Sequence, residues 1–202
     1  RITSGFRKSL ELARELPSRS IDGELISLQA NAEREDELKL AVELGADGIG
    51  LYRTEFLYLR GAAPDEETQV AEYSDALAAL NGRPLTIRTM DLGADKTSDA
   101  IDFTLLRSSV NPALGLRAIR LCLRDTDLFK TQLRAILRTS AGGKVRCLIP
   151  MLTTVNEILM VKSLLHEARL ELQEQGYAFD PNMPLGGMIE VPAAAISADL
   201  FA

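Results

Sequence analysis

Residues 45–59, GADGIGLYRTEFLYL, constrain the fold more than any other stretch, because a short apolar strand there runs straight into a charged cluster. Gly48, Ile49, Gly50, Leu51 and Tyr52 read as a buried parallel strand, and Arg53, Thr54 and Glu55 follow at its carboxyl end. The pattern recurs over residues 84–95, where LTIRTMD passes from β-branched residues to Arg88, Asp91 and Asp95, with Lys96 next. A third instance is GGMIEVP at residues 186–192, a strand expected to end in Glu190. Ligands of parallel α/β folds bind at the carboxyl ends of strands. Three strands that deliver ionic groups there predict an active-site rim with two arginines and an acid, Arg53, Arg88 and Glu190 facing one cavity.

Helices separate these strands. Phe6, Leu10, Ala13 and Leu16 fall at helical spacing and Pro17 stops the pattern, so residues 1–18 read as a linker helix from an upstream domain. Residues 24–30 alternate as a first strand, and 34–44 form a charged amphipathic helix closed by Gly45. Pro64 with Asp65, Glu66 and Glu67 opens a helix that ends at Asn81-Gly82. The third strand leads into a polar connection over 93–111, long enough to suggest a functional loop. Helical segments then run from Pro112 to Arg138 with a break near Asp125. The fourth strand covers 145–151. Thr154 and Glu157 form a capping box for a helix reaching Gly176, with Ile158, Val161, Leu165, Ala168 and Leu172 as its buried stripe.

Such βα alternation implies an α/β fold with a parallel sheet, and no GxGxxG follows the first strand as a dinucleotide-binding fold requires. A (β/α)8 TIM-type barrel is therefore favoured. Complete barrels take about 250 residues, so about five βα units over 19–202 predict the first part of a barrel, with roughly three units missing.

Composition narrows the function. Hydrophobic residues make up 46% of the 202, enough for a core, while the net charge of −6 argues against a nucleic-acid or anionic-membrane surface. Anion binding must then be local. Cys122 and Cys147 lack metal-ligand spacing, and neither a secretory signal nor a run of about eighteen apolar residues is present. A soluble cytoplasmic protein is expected.

Five segments in order, GADGIGLYRTEF, LTIRTMDLGADK, NPALGLRAIR, FKTQLRAILR and MIEVPAAA, resemble the phosphoenolpyruvate-binding barrel of the phosphoenolpyruvate-protein phosphotransferases, Enzyme I of the bacterial sugar phosphotransferase system. The likeness runs nearly end to end. Phosphoenolpyruvate synthase and pyruvate phosphate dikinase share the arginine after the second strand but differ around IRTMDLG, and stand as the alternative. Ala94 replaces a usual second glycine, and Leu116 a usual tryptophan. The resemblance implies transfer of the phosphoryl group of phosphoenolpyruvate to a histidine of an amino-terminal domain and then to the carrier HPr. It places Arg53 and Arg88 on the substrate phosphate, Lys96 and Arg117 beside the same pocket, and Glu190 on Mg2+. A second metal carboxylate, an adjoining asparagine, a further arginine and the acid cysteine are implied from barrel units outside this chain. No catalytic residue is thus expected within it, the fragment alone is expected to be inactive, and the full-length parent is expected to be a homodimer.

The residue types suit that chemistry. A planar guanidinium grips phosphate or carboxylate oxygens two at a time, which an ammonium cannot do. Each residue also has a plainer reading: Arg53 paired with Glu55, Arg88 paired with Asp91, and Asp95 and Lys96 solvating a loop. Arg117 shares a face with Arg120 and Arg124 at helical spacing, and a solvated face is the plainer reading for Arg120 and Arg124. His166 beside an apolar stripe reads as structural, the two cysteines as core thiols, and Gly142-Gly143-Lys144 lacks phosphate-loop spacing. A binding or dimerisation module is the non-enzymatic alternative.

Overall fold

A computed structural model of the chain describes residues 14, 16–59, 63–92 and 115–201. Five strands, β1 (Gln29–Ala32), β2 (Gly48–Tyr52), β3 (Leu85–Arg88), β4 (Val145–Ile149) and β5 (Leu185–Gly187), form one sheet in sequential order. Every neighbouring pair is parallel. The connecting helices are α1 (Glu35–Glu43), a short α2 (Glu55–Tyr58), α3 (Glu66–Ala79), α4 (Ala118–Arg124), α5 (Thr126–Ser140) and α6 (Val155–Glu174), with α7 (Pro192–Ile196) after β5.

Sequential order has a geometric consequence. Crossovers between parallel strands are almost always right-handed, so a sheet whose order never reverses puts all its crossover helices on one face. Burial follows that division. Leu85, Ile87, Val145, Cys147 and Ile149 are buried with Phe129, Leu133, Ile136, Val161 and Leu165 of the helices. Between them on β4, Arg146 is exposed and Leu148 half-buried. A parallel sheet is normally covered on both sides; among the described residues the connecting helices pack on one face. The five strands form an open sheet, with β1 and β5 at its edges, and not a closed barrel.

Most helix boundaries follow the expected chemistry. Asp65 caps α3 by accepting from the Thr68 N–H at 2.8 Å, and Thr154 with Glu157 forms the capping box of α6. The break at Asp125 separates α4 from α5, and Asn81 and Gly82 close α3 at positive φ. Val161, Leu165, Ala168 and Leu172 of α6 are buried, Ile158 partly so. On the outside of the helical layer, Arg134 bridges Glu66 and Glu171 at 2.7 and 2.6 Å, tying α3, α5 and α6 together.

Two strands differ from expectation. The first begins at Gln29, not residue 24, because Arg19 and Leu25 pair antiparallel across a turn at Gly23 and keep the preceding segment out of the sheet. The Asp47 side chain then accepts from the Leu28 N–H at 2.7 Å, fixing where pairing starts. The fifth strand stops at Gly187 because its partner stops: Pro150 follows β4, and Met151 turns to φ 59°. Glu190 is therefore exposed beyond an edge strand and does not end a buried one. Most of the linker helix expected over 1–18, the connection over 93–111 and Lys96 lie outside the described residues.

Candidate functional site at the carboxyl edge of the sheet

Arg53 and Arg88 stand at the carboxyl ends of neighbouring strands, which lie about 5 Å apart. Glu190 comes after the end of β5, two strands over from β3. All three leave the same edge of the sheet, as the strand pattern predicts.

Their surroundings differ. Arg53 donates its backbone N–H to Ala32 at 3.0 Å, while its side chain is exposed and makes no ion pair among the described residues. The expected partner, Glu55, is taken. Glu55 begins the short helix α2, is 4% exposed, and receives Arg88 Nη2 at 2.7 Å and the Asp91 N–H at 2.9 Å on one oxygen. Arg88 also faces Asp91 at 3.5 Å, the pairing expected for it. Among the described residues its Nε is buried without a hydrogen-bond partner, and so is the Thr89 hydroxyl beside it. An orphaned donor at a strand end is costly unless a ligand or water completes it.

Arg117 joins the same cluster. Its Nε and Nη2 donate to Asp91 Oδ1 at 3.1 and 2.8 Å, so Arg117, Asp91, Arg88 and Glu55 form a continuous chain of alternating charge. Arg117 does not share a helix face with Arg120 and Arg124, as its spacing suggests. It is the extended N-cap residue of α4, and Ala118 turns to φ 46° behind it, donating its N–H to Leu92. The turn swings Arg117 toward β3. Arg120 is half-buried and bonded to Gly115 O at 2.8 Å, so the solvated reading fails for it and holds for exposed Arg124.

At the far edge, Glu190 Oε1 accepts the Met151 N–H at 2.8 Å, leaving its carboxylate exposed beside the end of β4. Among the described residues no group of three or more His, Cys, Asp or Glu is arranged to hold a metal ion. One hard carboxylate still fits Mg2+, which usually keeps several waters and uses only one or two protein carboxylates beside substrate phosphate. The two cysteines are no part of this chemistry. Both are buried, and burial pushes the Cys147 thiol up to about 12 and Cys122 well above its ordinary value.

Sequence reasoning missed Glu55 as the partner of Arg88, and missed Thr54 and Gln132 behind it. Thr54 is fully buried and donates to Arg88 O at 3.1 Å; Gln132, also buried, donates to Thr54 Oγ1 at 3.2 Å. A glutamine at the buried spacing of α5, next to Leu133 and Ile136, is the signal that could have found it.

The family described as PEP-utilising enzyme, PEP-binding domain, matches residues 7–202. The chain belongs to this family. Phosphoenolpyruvate-protein phosphotransferase of Cupriavidus necator is 45% identical over 197 residues, covering 96% of this chain and 33% of that relative. The protein of the same name from Staphylococcus aureus strain MSSA476 is 42% identical over 197 residues, covering 97% and 34%. That of Geobacillus stearothermophilus is 44% identical over 182 residues, covering 90% and 31%. The chain thus spans about a third of the length of the curated relatives it matches. These findings agree with the resemblance carried by the five segments. No helix among the described residues is long and apolar enough to cross a membrane.

Proposed function

We propose that the chain is part of a phosphoenolpyruvate-protein phosphotransferase, with residues 19–202 as the first part of a phosphoenolpyruvate-binding (β/α)8 barrel and 1–18 as a linker helix. The strand order, which never reverses and leaves β1 and β5 as edges among the described residues, supports this reading, since closing such a sheet on itself removes its edges. Homodimerisation of the full-length protein and a cytoplasmic setting belong to the same proposal.

The single observation that carries the site is the contrast between the two arginines. Arg88 is anchored by Glu55 and Asp91, while exposed Arg53 on the next strand has no ion pair among the described residues. In this reading Arg88 is a fixed wall of the phosphate pocket and Arg53 closes on the phosphate from the neighbouring strand. Arg117 adds positive potential through Asp91; Lys96, outside the described residues, is assigned to the same pocket by the resemblance alone. The guanidinium forks orient the phosphorus for in-line attack by a histidine of another domain, from which HPr takes the group. Glu190 would be the carboxylate that holds Mg2+, and the ion would neutralise charge on the bound substrate. The isolated chain binds phosphoenolpyruvate at most and transfers nothing.

Steady-state transfer from phosphoenolpyruvate to HPr by the full-length enzyme tests the proposal. Arg53→Lys keeps the charge and loses the fork, so its rate falls about a hundredfold to a thousandfold, the scale of one lost transition-state donor. Arg124→Lys, on an exposed position, changes little. Equal and small losses in the two variants would remove Arg53 from the phosphate site.

A further inference from the structure

Two arginines on adjacent strands hold one phosphate only if the strand ends keep a fixed spacing. The last residue pair shared by β2 and β3 is Tyr52 with Ile87. Beyond it the backbones part company: Arg53 donates its N–H away from β3, to Ala32 of β1 at 3.0 Å, and Thr89 donates away from β2, to Leu148 of β4 at 2.9 Å. Past this pair, side chains link the two ends.

Glu55 does so from the rim, through Arg88 and the Asp91 N–H. The buried side is tied by Gln132, which is fully buried on α5. Its Oε1 accepts the Met90 N–H at 3.0 Å, and its Nε2 donates to Thr54 Oγ1 at 3.2 Å and to the Tyr73 hydroxyl at 3.1 Å. Thr54 passes the connection on to Arg88 O at 3.1 Å. One amide therefore grips the residue after Arg53 and the second residue after Arg88. Tyr73 holds it in turn, donating to Gln69 Oε1 at 3.1 Å, and Gln69 Nε2 is anchored on Pro64 O at 3.0 Å. A buried primary amide is expensive unless its donors and acceptor are all met, and here they are met by groups flanking the two arginines.

We propose that Gln132 is a positioning residue that sets the distance and angle between Arg53 and Arg88 through the Thr54 hydroxyl and the Met90 amide. The proposal rests on the phosphate-binding role of the two arginines given above. Gln132 touches no substrate. It acts because a misplacement of about 1 Å in a pre-organised site costs on the order of a hundredfold in rate.

The test is a double-mutant cycle in the full-length enzyme, read as kcat and KM for phosphoenolpyruvate in transfer to HPr, with thermal melting alongside. Gln132→Met keeps the volume and loses the amide; kcat/KM falls about a hundredfold, mostly in kcat. In an Arg88→Lys background, where the fork is already lost, the same change costs less than about threefold, because residues acting as one unit are not additive. Should Gln132→Met fail to fold, Thr54 carries the test: Thr54→Val, which deletes the hydroxyl, shows the loss, and Thr54→Ser, which keeps it, restores activity. Full additivity with Arg88→Lys, or equal behaviour of Thr54→Val and Thr54→Ser, overturns the positioning role. A harmless Arg88→Lys overturns the phosphate site itself and this proposal with it, whereas a crippling Arg88→Lys beside a harmless Gln132→Met overturns the positioning alone.

Discussion

Removing the Glu55 carboxylate should destabilise the fold far more than an acidic residue beside a surface arginine normally would. Its side chain is 5% exposed and that of Arg88 12%, with 2.7 Å between the charged atoms. The same oxygen also receives the Asp91 N–H at 2.9 Å. Deleting one member of a buried pair typically costs 3–5 kcal/mol, because the other charge is left in a poor environment. Arg88 keeps Asp91 at 3.5 Å, so Glu55→Ala belongs at the lower end, about 3 kcal/mol. Glu55→Gln retains an acceptor of the same shape and exchanges charged hydrogen bonds for neutral ones, a loss of about 1–2 kcal/mol. For a domain of this size each kcal/mol moves the melting temperature by about 2–4 °C. Thermal unfolding followed by circular dichroism at pH 7 should then show the alanine variant about 6–12 °C below the parent, with glutamine between them. An alanine variant melting with the parent, or two variants melting together, would refute a charge-dependent anchor for Arg88.

Gly48→Ala should lose about 1–3 kcal/mol in chemical denaturation, since an added Cβ would stand 2.6 Å from Pro84 O and 2.7 Å from its ring, forcing apart β2 and the start of β3. Native-state alkylation with iodoacetamide should leave Cys122 and Cys147 unmodified on a timescale that labels both in denaturant, because burial holds both thiols protonated at neutral pH. The hydrogen bonds from Lys130 and Arg134 hold the Glu171 carboxyl below its ordinary value of 4.5. Its contribution to stability is thus present above about pH 4.5 and lost as pH falls through the lower folded value, so melting temperature should drop on acidification, and Glu171→Gln should flatten that drop.

Much of the fold was legible because it depends on local signals. β2 was expected at residues 48–52 and lies there, and the caps at Asp65 and Thr154 close N–H groups within three residues of themselves. The misplaced ends depend on partners instead. β1 starts where Asp47, nineteen residues away, clips Leu28, and β5 stops where β4 does. Neither signal lies within the strand concerned. Closure of the sheet was not legible for the same reason: alternation of strands and helices predicts parallel pairing, but pairing between a first and a last strand is no property of any single βα unit.

Position along a strand told which charges reach the carboxyl edge, and could not tell which of them hold each other. Arg53, Glu55, Arg88, Asp91 and Arg117 are all visible in the sequence as charged residues near strand or helix ends. Proximity in sequence suggested that Glu55 serves Arg53. The short helix α2 reverses that choice, because it turns Glu55 inward two residues after Arg53 and carries it to Arg88, 33 residues away, while Arg53 stays in solvent. The reversal matters for function. A guanidinium whose fork is spent on a carboxylate inside the protein is a rigid surface for an anion, and one left in solvent can still close both of its arms on a phosphate. Had Glu55 paired with Arg53 instead, the half-buried Arg88 would keep only Asp91 at 3.5 Å, and desolvation makes a weakly paired cation there more costly than one on the rim. Stability and the proposed phosphate role therefore favour the same assignment of partners: in the three-residue stretch Arg53-Thr54-Glu55, Arg53 is the proposed phosphate ligand, Thr54 is the link to Gln132 and Glu55 the anchor of the second arginine.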